Sequence, residues 1–256
     1  MEGPGRQRET ANPSRGIPCL ELPEWRARFG LVAGITTRGD AGDFSLGLWS
    51  GSAPVADVMR RWAEFRGAFT PGCTAVVVSR QCHGTRVRWH ERAGEGWLLL
   101  DGYDGHLTAA TGLLLGVSVA DCVPVYLVAR QGAVVGLLHA GWRGIAAGVL
   151  EAGLERFSTA AAISPSDVIM HCGVSICGDC YEVGPEVILN VTGRRVGAAE
   201  RLDLRGELVR RARERGVAEV TISPYCTRHD TGWFHSHRGS GGQAGRMIAY
   251  LGRPQV

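Results

Sequence analysis

Leu113-Leu114-Leu115-Gly116-Val117-Ser118-Val119-Ala120-Asp121-Cys122-Val123-Pro124 is the stretch that decides how this chain folds. Its first seven residues form a short continuous apolar run of the kind a buried strand shows. The wider apolar stretch, out to Ala129, is interrupted by Asp121 and Pro124 before it reaches the length of a membrane-spanning helix. Ala75–Val78 and Ala133–Leu138 read as buried strands in the same way. Each of the three runs leads into residues that carry chemistry: Ser79-Arg80-Gln81-Cys82-His83-Gly84, Asp121-Cys122, and His139-Ala140-Gly141-Trp142-Arg143-Gly144. Strands of one sheet deliver their C-terminal ends to a common edge, so His83, Cys122 and His139 are expected to converge there. Two imidazoles and one thiolate would hold a zinc ion and leave one coordination position for water or substrate, which is the catalytic arrangement.

Outward from these runs, helices and strands interleave. Pro54 opens a helix with Val55, Val58, Met59, Trp62 and Phe65 on one stripe and Asp57, Arg60, Arg61 and Glu64 on the other side. A second helix follows Gly141, with Ala146, Leu150, Leu154 and Phe157 at spacings of three and four, and a third runs from Asp203 to Arg215, stopped by Gly216. Val168–His171 and Val220–Ser223 add strands, so the class is mixed α and β, with no repeat or linker dividing it. Residues 1–18, rich in Gly, Pro, Arg and Asn, are expected to be disordered, and residues 19–256 to form one domain.

Composition narrows the function. A chain of 256 residues with 45% apolar content can bury a full core. A net charge of +3 and the lack of a long basic run argue against nucleic acid, and no segment reads as a membrane span. All 28 basic residues are arginine, which excludes Walker-type phosphate binding, pyridoxal Schiff bases and lysine general bases. The eight cysteines, with no export signal pattern, are expected to be thiols in the cytoplasm. The strand-to-helix turn at 139–144 aims free amides, that of Gly144 among them, at the same edge as the three candidate ligands. Arg143 sits in that first turn, with an anion or Asp121 as the partner it could answer. His90 and His106 read as loop residues, His171 as a strand end, and His229, His235 and His237 as a loop cluster. Cys177-Gly178-Asp179-Cys180 has metal-like spacing without a second half.

These motifs, together with Cys180-Tyr181-Glu182-Val183-Gly184, Leu202-Asp203-Leu204, Cys226-Thr227 and Gly245-Arg246-Met247, resemble the signature segments of the YfiH-like, laccase-domain ("polyphenol oxidase") family over roughly residues 30 to 252. The resemblance implies one α/β domain with layered mixed sheets flanked by helices. It also implies zinc on His83, Cys122 and His139, and action on purine nucleosides and inorganic phosphate: phosphorolysis of adenosine, inosine, guanosine and methylthioadenosine, and deamination of adenosine. Arg38, in Gly34-Ile35-Thr36-Thr37-Arg38, matches a family arginine expected near nucleoside or phosphate. Arg143 and the amides around Gly144 are expected to hold phosphate, and Asp104 or Asp121 to shuttle protons in deamination. The chain departs from the family pattern at Gly47, which stands in place of an asparagine, and at Gly239, which follows Arg238 in place of a second arginine. A monomer or weak homo-oligomer is expected. Two rival readings stay open: a cysteine hydrolase with Cys122 activated by His139, and a copper oxidase, which ranks below zinc because the one His-x-His pair is His235-Ser236-His237. A non-enzymatic scaffold is the remaining alternative.

Overall fold

Alternation along Val123–Ala129 sets the layering. Val123, Val125 and Leu127 belong to one buried cluster while Tyr126 and Val128 belong to another, so the strand is covered on both faces. A computed structural model describes residues 3–50, 53–70 and 72–255. Among them, two seven-stranded sheets stack face to face, with helices outside both. The first sheet runs in the order Gly5–Arg6, Glu219–Ile222, Val168–Cys172, Val123–Ala129, Val135–Ala140, Gly105–Thr108, Val87–His90. The second runs Thr10–Ala11, Cys19–Glu21, Val32–Thr36, Met247–Gly252, Leu113–Val119, Ala75–Arg80, Gly96–Asp101. Both mix parallel and antiparallel pairs, as expected for layered mixed sheets. A small separate pairing joins Glu182–Val183 to Glu200–Arg201.

Three apolar layers hold this arrangement. Between the sheets, Leu115, Val117, Ala249 and Leu251 meet Tyr126, Val128, Leu137 and Ile169. Behind the first sheet, Val125, Leu138 and Met170 meet Ile145, Leu150, Leu154, Phe157, Ile188 and Leu208 of the helices. Behind the second, Val76, Val78, Leu114 and Tyr250 meet Val58, Trp62, Phe65 and Phe69. Removing each such large side chain from water contributes about 1.5–3 kcal/mol. A hydrogen bond crosses between the sheets where Tyr126 Oη donates to the Gly34 carbonyl at 2.7 Å. Gly34 has no room for a side chain, since a Cβ there would run into the Leu20 carbonyl and the Tyr250 hydroxyl.

The helices depart from the sequence reading in instructive ways. Val55–Phe69 forms, but Met59 is exposed, whereas Arg61, expected on the polar side, is buried and paired with Asp43 at 2.9 Å. A tertiary ion pair pulled the arginine inward past its helical neighbours. The helix after Gly141 is two helices, Trp142–Ala147 and Val149–Ala161, because Gly148 takes φ of 93°, which a right-handed helix cannot contain. Leu204–Glu214 is capped by Asp203, whose carboxylate accepts from the Arg205 amide at 3.1 Å. Of the segment 1–18, expected to be disordered, the described residues 3–18 contribute two edge strands, while residues 1 and 2 lie outside the described residues. Gly5–Arg6 pairs with Glu219–Ile222 and Thr10–Ala11 with Cys19–Glu21, while Glu9 is buried against His171 and Ser223. Polar composition hid it because its partners are backbone edges and a buried carboxylate. No helix among the described residues is long and apolar enough to cross a membrane.

Candidate metal centre and its cavity

The three candidate ligands come from both sheets. Ala75–Arg80 and Leu113–Val119 lie in the second sheet and lead into His83 and Cys122. His139 lies inside Val135–Ala140 of the first sheet, opposite Pro124 in the register. The expectation of one shared sheet edge is thereby corrected: the site sits where the chain crosses from one sheet to the other at Ala120-Asp121-Cys122. One donor atom from each of His83, Cys122 and His139 lies within 4.8 Å of the other two. The His83 and His139 rings meet edge to face with centroids 4.7 Å apart, and Cys122 Sγ is 3.9 Å from His83 Nε2.

Local backbone chemistry explains how three distant residues hold this geometry. His83 has φ of 58° and Asp121 has φ of 83°, left-handed conformations that side-chain-bearing residues adopt at a cost of order 1–3 kcal/mol. Asp104 restrains the first of these. Its Oδ1 accepts from the His83 amide at 2.9 Å and from His139 Nδ1 at 2.8 Å, and its Oδ2 accepts from the amides of Gly84 at 2.8 Å and Cys82 at 3.2 Å. With Nδ1 donating to Asp104, His139 presents Nε2 as its free ligand atom. Asp121 is restrained in turn: Oδ1 accepts from Thr227 Oγ1 at 2.5 Å and Oδ2 from the Arg238 amide at 2.6 Å. Gln81 ties the two strand ends together, accepting from the Ser118 amide at 2.7 Å and donating to its carbonyl at 2.9 Å. A Cβ on Gly141 would stand 2.8 Å from His83 Cδ2 and 3.0 Å from Cys122 Sγ, so the approach of this turn requires glycine.

The electrostatics fit a ligand set. Burial pushes the Cys122 thiol up, but the charge and hydrogen bond of His139, followed by His83, outweigh it and hold the group at about 6. Burial pushes His139 down, while Cys122 and Asp104 outweigh it and raise the ring to about 9. Burial would raise the Asp104 carboxyl, yet His139, the Gly84 amide and the Cys82 thiol together hold it at about 2. Without a metal the site is thus a thiolate beside an imidazolium, and a divalent cation would take the place of the proton on His139.

The trio opens into a cavity of about 260 Å³, walled by Leu46–Ser50, Trp62, Ser79, Gln81, His237 and Arg246 among others. His237 and Arg246 are the wall residues that sequence reasoning missed as site residues. His237 was read as a loop histidine, and Arg246 appeared only within the Gly245-Arg246-Met247 motif. Arg38 lies in a neighbouring cavity, where it donates to the carbonyls of Gly42 at 3.0 Å and Thr231 at 2.9 Å. Arg61, whose buried Nη1 has no hydrogen-bond partner among the described residues, lines the same space. Arg143 is exposed and stacks over Trp142 at 4.3 Å, and the alternative partner, Asp121, has both carboxylate oxygens engaged elsewhere. Gly144 is buried in the six-residue helix Trp142–Ala147, away from both cavities.

His90 and His106, read as loop residues, are buried on strands and bonded at 3.1 Å, and Ser79 Oγ reaches His106 at 3.0 Å. Burial pushes them to about 4 and about 3, so both are neutral. All eight cysteines are free thiols. The Cys177-x-x-Cys180 pair does have a second half, Cys226-x-x-His229, and one donor atom from each of the four lies within 4.8 Å of the others.

Residues 32–254 match the family described as multi-copper polyphenol oxidoreductase laccase. The chain is similar to purine nucleoside phosphorylase YlmD of Geobacillus stearothermophilus, 32% identical over 88% of this chain and 90% of the relative. It is also similar to adenosine deaminase RL5 of an unknown prokaryotic organism, 33% identical over 70% of this chain and 75% of the relative. The crystal structure of YlmD from Geobacillus stearothermophilus superimposes with a TM-score of 0.80 at 28% identity, covering 98% of this chain and all of that one.

Proposed function

Because the chain belongs to the multi-copper polyphenol oxidoreductase laccase family, many of whose curated relatives carry purine-nucleoside names, we propose that it is a zinc-dependent purine nucleoside phosphorylase with adenosine deaminase activity. Its substrates are adenosine, inosine, guanosine and methylthioadenosine, with inorganic phosphate as co-substrate. The observation that carries the reading is the meeting of His83, Cys122 and His139 at one wall of an open-mouthed cavity. Soft thiolate and imidazole donors suit zinc, and three of them leave a position open. Bound there, zinc would supply Lewis-acid charge to an oxygen of the substrate or to water.

The rest of the work falls to this chain's own groups. The nucleoside sits in the cavity beside Trp49 and Leu48, and Arg246 is the half-buried cation of its wall, since Arg80, the other arginine there, is exposed and paired with Asp101. Phosphate is held by arginine in the adjoining space, where Arg38 and the Nη1 of buried Arg61, which has no partner among the described residues, offer planar donors. Arg143, stacked on Trp142 and lining neither cavity, takes no part in this reading. As the bond between sugar and base breaks, the purine needs a proton. Of the wall residues outside the ligand trio, His237 is the one imidazole, the side chain most often used as a general acid. Asp104 and Asp121, whose carboxylates are filled by protein donors, position ligands rather than shuttle protons. The free thiols suit a reducing compartment such as the cytoplasm.

One observation favours a second reading. Cys122, His139 and Asp104 are also arranged as thiolate, imidazolium and carboxylate, the order a cysteine nucleophile would use. His83 separates the two, since a nucleophile has no need of it. Zinc-loaded protein is incubated with adenosine, inosine and methylthioadenosine, with and without phosphate, and base, sugar phosphate and inosine are separated. Phosphate-dependent release of base that is lost in His83→Ala supports the phosphorylase. Phosphate-independent turnover that survives His83→Ala and is stopped by iodoacetamide overturns it.

A further inference from the structure

On the far side of Asp121 from the cavity, two loops bring four metal-binding side chains together. Cys177 and Cys180 lie in the loop after Val168–Cys172, and Cys226 and His229 in the loop after Glu219–Ile222. Cys180 Sγ is 3.0 Å from His229 Nε2 and Cys177 Sγ is 3.8 Å from His229 Nδ1. Tetrahedral zinc, with bonds of about 2.3 Å to sulfur and about 2.0 Å to nitrogen, sets its donors roughly 3.5–3.8 Å apart. The observed set needs only small side-chain adjustments to close around an ion. The backbone is also arranged for a thiolate: the amide of Cys177 donates to Cys226 Sγ at 3.3 Å, and those of Arg228 and His229 point at the same sulfur. Ile176, Tyr181 and the parallel bridge from Ser175 to Cys226 back the cluster on one side, burying Cys180 and Cys226 and half-burying Cys177, while His229 closes it from the exposed side.

We infer that Cys177, Cys180, Cys226 and His229 bind a second zinc ion in a closed, four-ligand structural site. Four protein donors leave no position for substrate, which distinguishes this ion from one on His83, Cys122 and His139. Its place in the fold gives it a positioning task. Both loops it joins also hold Asp121: the Ile176 amide donates to the Asp121 carbonyl at 3.0 Å, and Thr227 Oγ1 donates to its carboxylate. Fixing the two loops to each other therefore fixes the strained turn that carries Cys122. The inference stands without the phosphorylase reading, because neither the cavity nor any nucleoside enters it.

The test is metal content of the purified full chain by inductively coupled plasma mass spectrometry. Wild type is expected to hold two zinc ions per chain. The double variant His83→Ala, Cys122→Ser is expected to keep one, and Cys177→Ser with Cys180→Ser to lose one. Since the last variant is at risk of failing to fold, cobalt is also loaded into the His83→Ala, Cys122→Ser protein. With Cys122 gone, charge-transfer absorption of the strength that three sulfur-to-cobalt bonds give can come only from the second cluster, because Cys82, the one exposed thiol, would supply a single such bond. Absence of that absorption, absence of zinc in the same variant, or a disulfide joining Cys177 to Cys180 in freshly purified protein overturns the inference. A single zinc in wild type that persists in His83→Ala, Cys122→Ser would uphold it while removing the metal from the proposed catalytic site.

Discussion

Replacing Asp104 with asparagine tests the central claim about the site, because one fully buried carboxylate sets the direction of two ligands. The amide has the same shape but only one acceptor oxygen. Oδ1 serves His83 N and His139 Nδ1, and Oδ2 serves Gly84 N, Cys82 N and the Cys82 thiol, so whichever way the amide turns, at least two donors face an NH₂ group. Each buried donor left unpaired costs about 1–3 kcal/mol, which puts the loss at roughly 2–6 kcal/mol. Titration gives an independent figure. The Asp104 carboxyl falls from its ordinary 3.8 to about 2, worth about 2 kcal/mol in favour of the folded state. Because the folded pKa is depressed, that stability is present above pH 3.8 and is lost as pH falls through about 2. Metal affinity is expected to drop about 10–100-fold, the usual result of removing a carboxylate behind a ligating histidine. Zinc affinity is read by chelator competition at neutral pH. The stability gap is read by denaturant unfolding of metal-free protein over the pH range in which wild type stays folded, and it should narrow below about pH 4. An Asp104→Asn protein with wild-type zinc affinity and no stability gap would refute the account of how the ligands are aimed.

Other consequences can be checked separately. Gly141→Ala, at a backbone φ of −81° that alanine tolerates, should leave the far-ultraviolet circular dichroism intact while abolishing stoichiometric metal at the trio, because the new methyl displaces the His83 ring. In metal-free protein, alkylation of Cys122 by iodoacetamide, followed by peptide mass, should rise with pH around an inflection near 6, and zinc should suppress it. An inflection at the ordinary thiol value of 9 would remove the thiolate–imidazolium pair. Gly34→Ala should prevent soluble expression, because the Leu20 carbonyl behind it belongs to a paired strand and cannot retreat.

The chemistry of the candidate site was more legible than its architecture. His83, Cys122 and His139 follow or end recognisable apolar runs, and they do meet. What the runs do not reveal is sheet membership: Leu113–Val119 and Val123–Ala129 are separated by three residues yet belong to different sheets, a choice made by tertiary pairing. The burial of Arg61 and exposure of Met59 depended on Asp43, eighteen positions away, which no helical wheel contains. His90 and His106 looked like loop residues because their partners, each other and Ser79, are distant in sequence. The four-donor cluster was missed for a similar reason. Its halves, C-x-x-C and C-x-x-H, are each commonplace, and only the parallel pairing of Val168–Cys172 with Glu219–Ile222 brings the loops that follow them side by side.

The strand that fills the middle of the second sheet, Met247–Gly252, is the last one in chain order, flanked by Val32–Thr36 and Leu113–Val119. During synthesis those two neighbours emerge early and wait, with facing edges bare, until the ribosome has passed residue 252 and released it. Vectorial completion of the sheet is therefore impossible, and its closure depends on contacts of very long sequence separation, the slow kind. In the interval, two strongly apolar edges are open to pairing with other nascent chains, so yield in the cell should rise with chaperone supply.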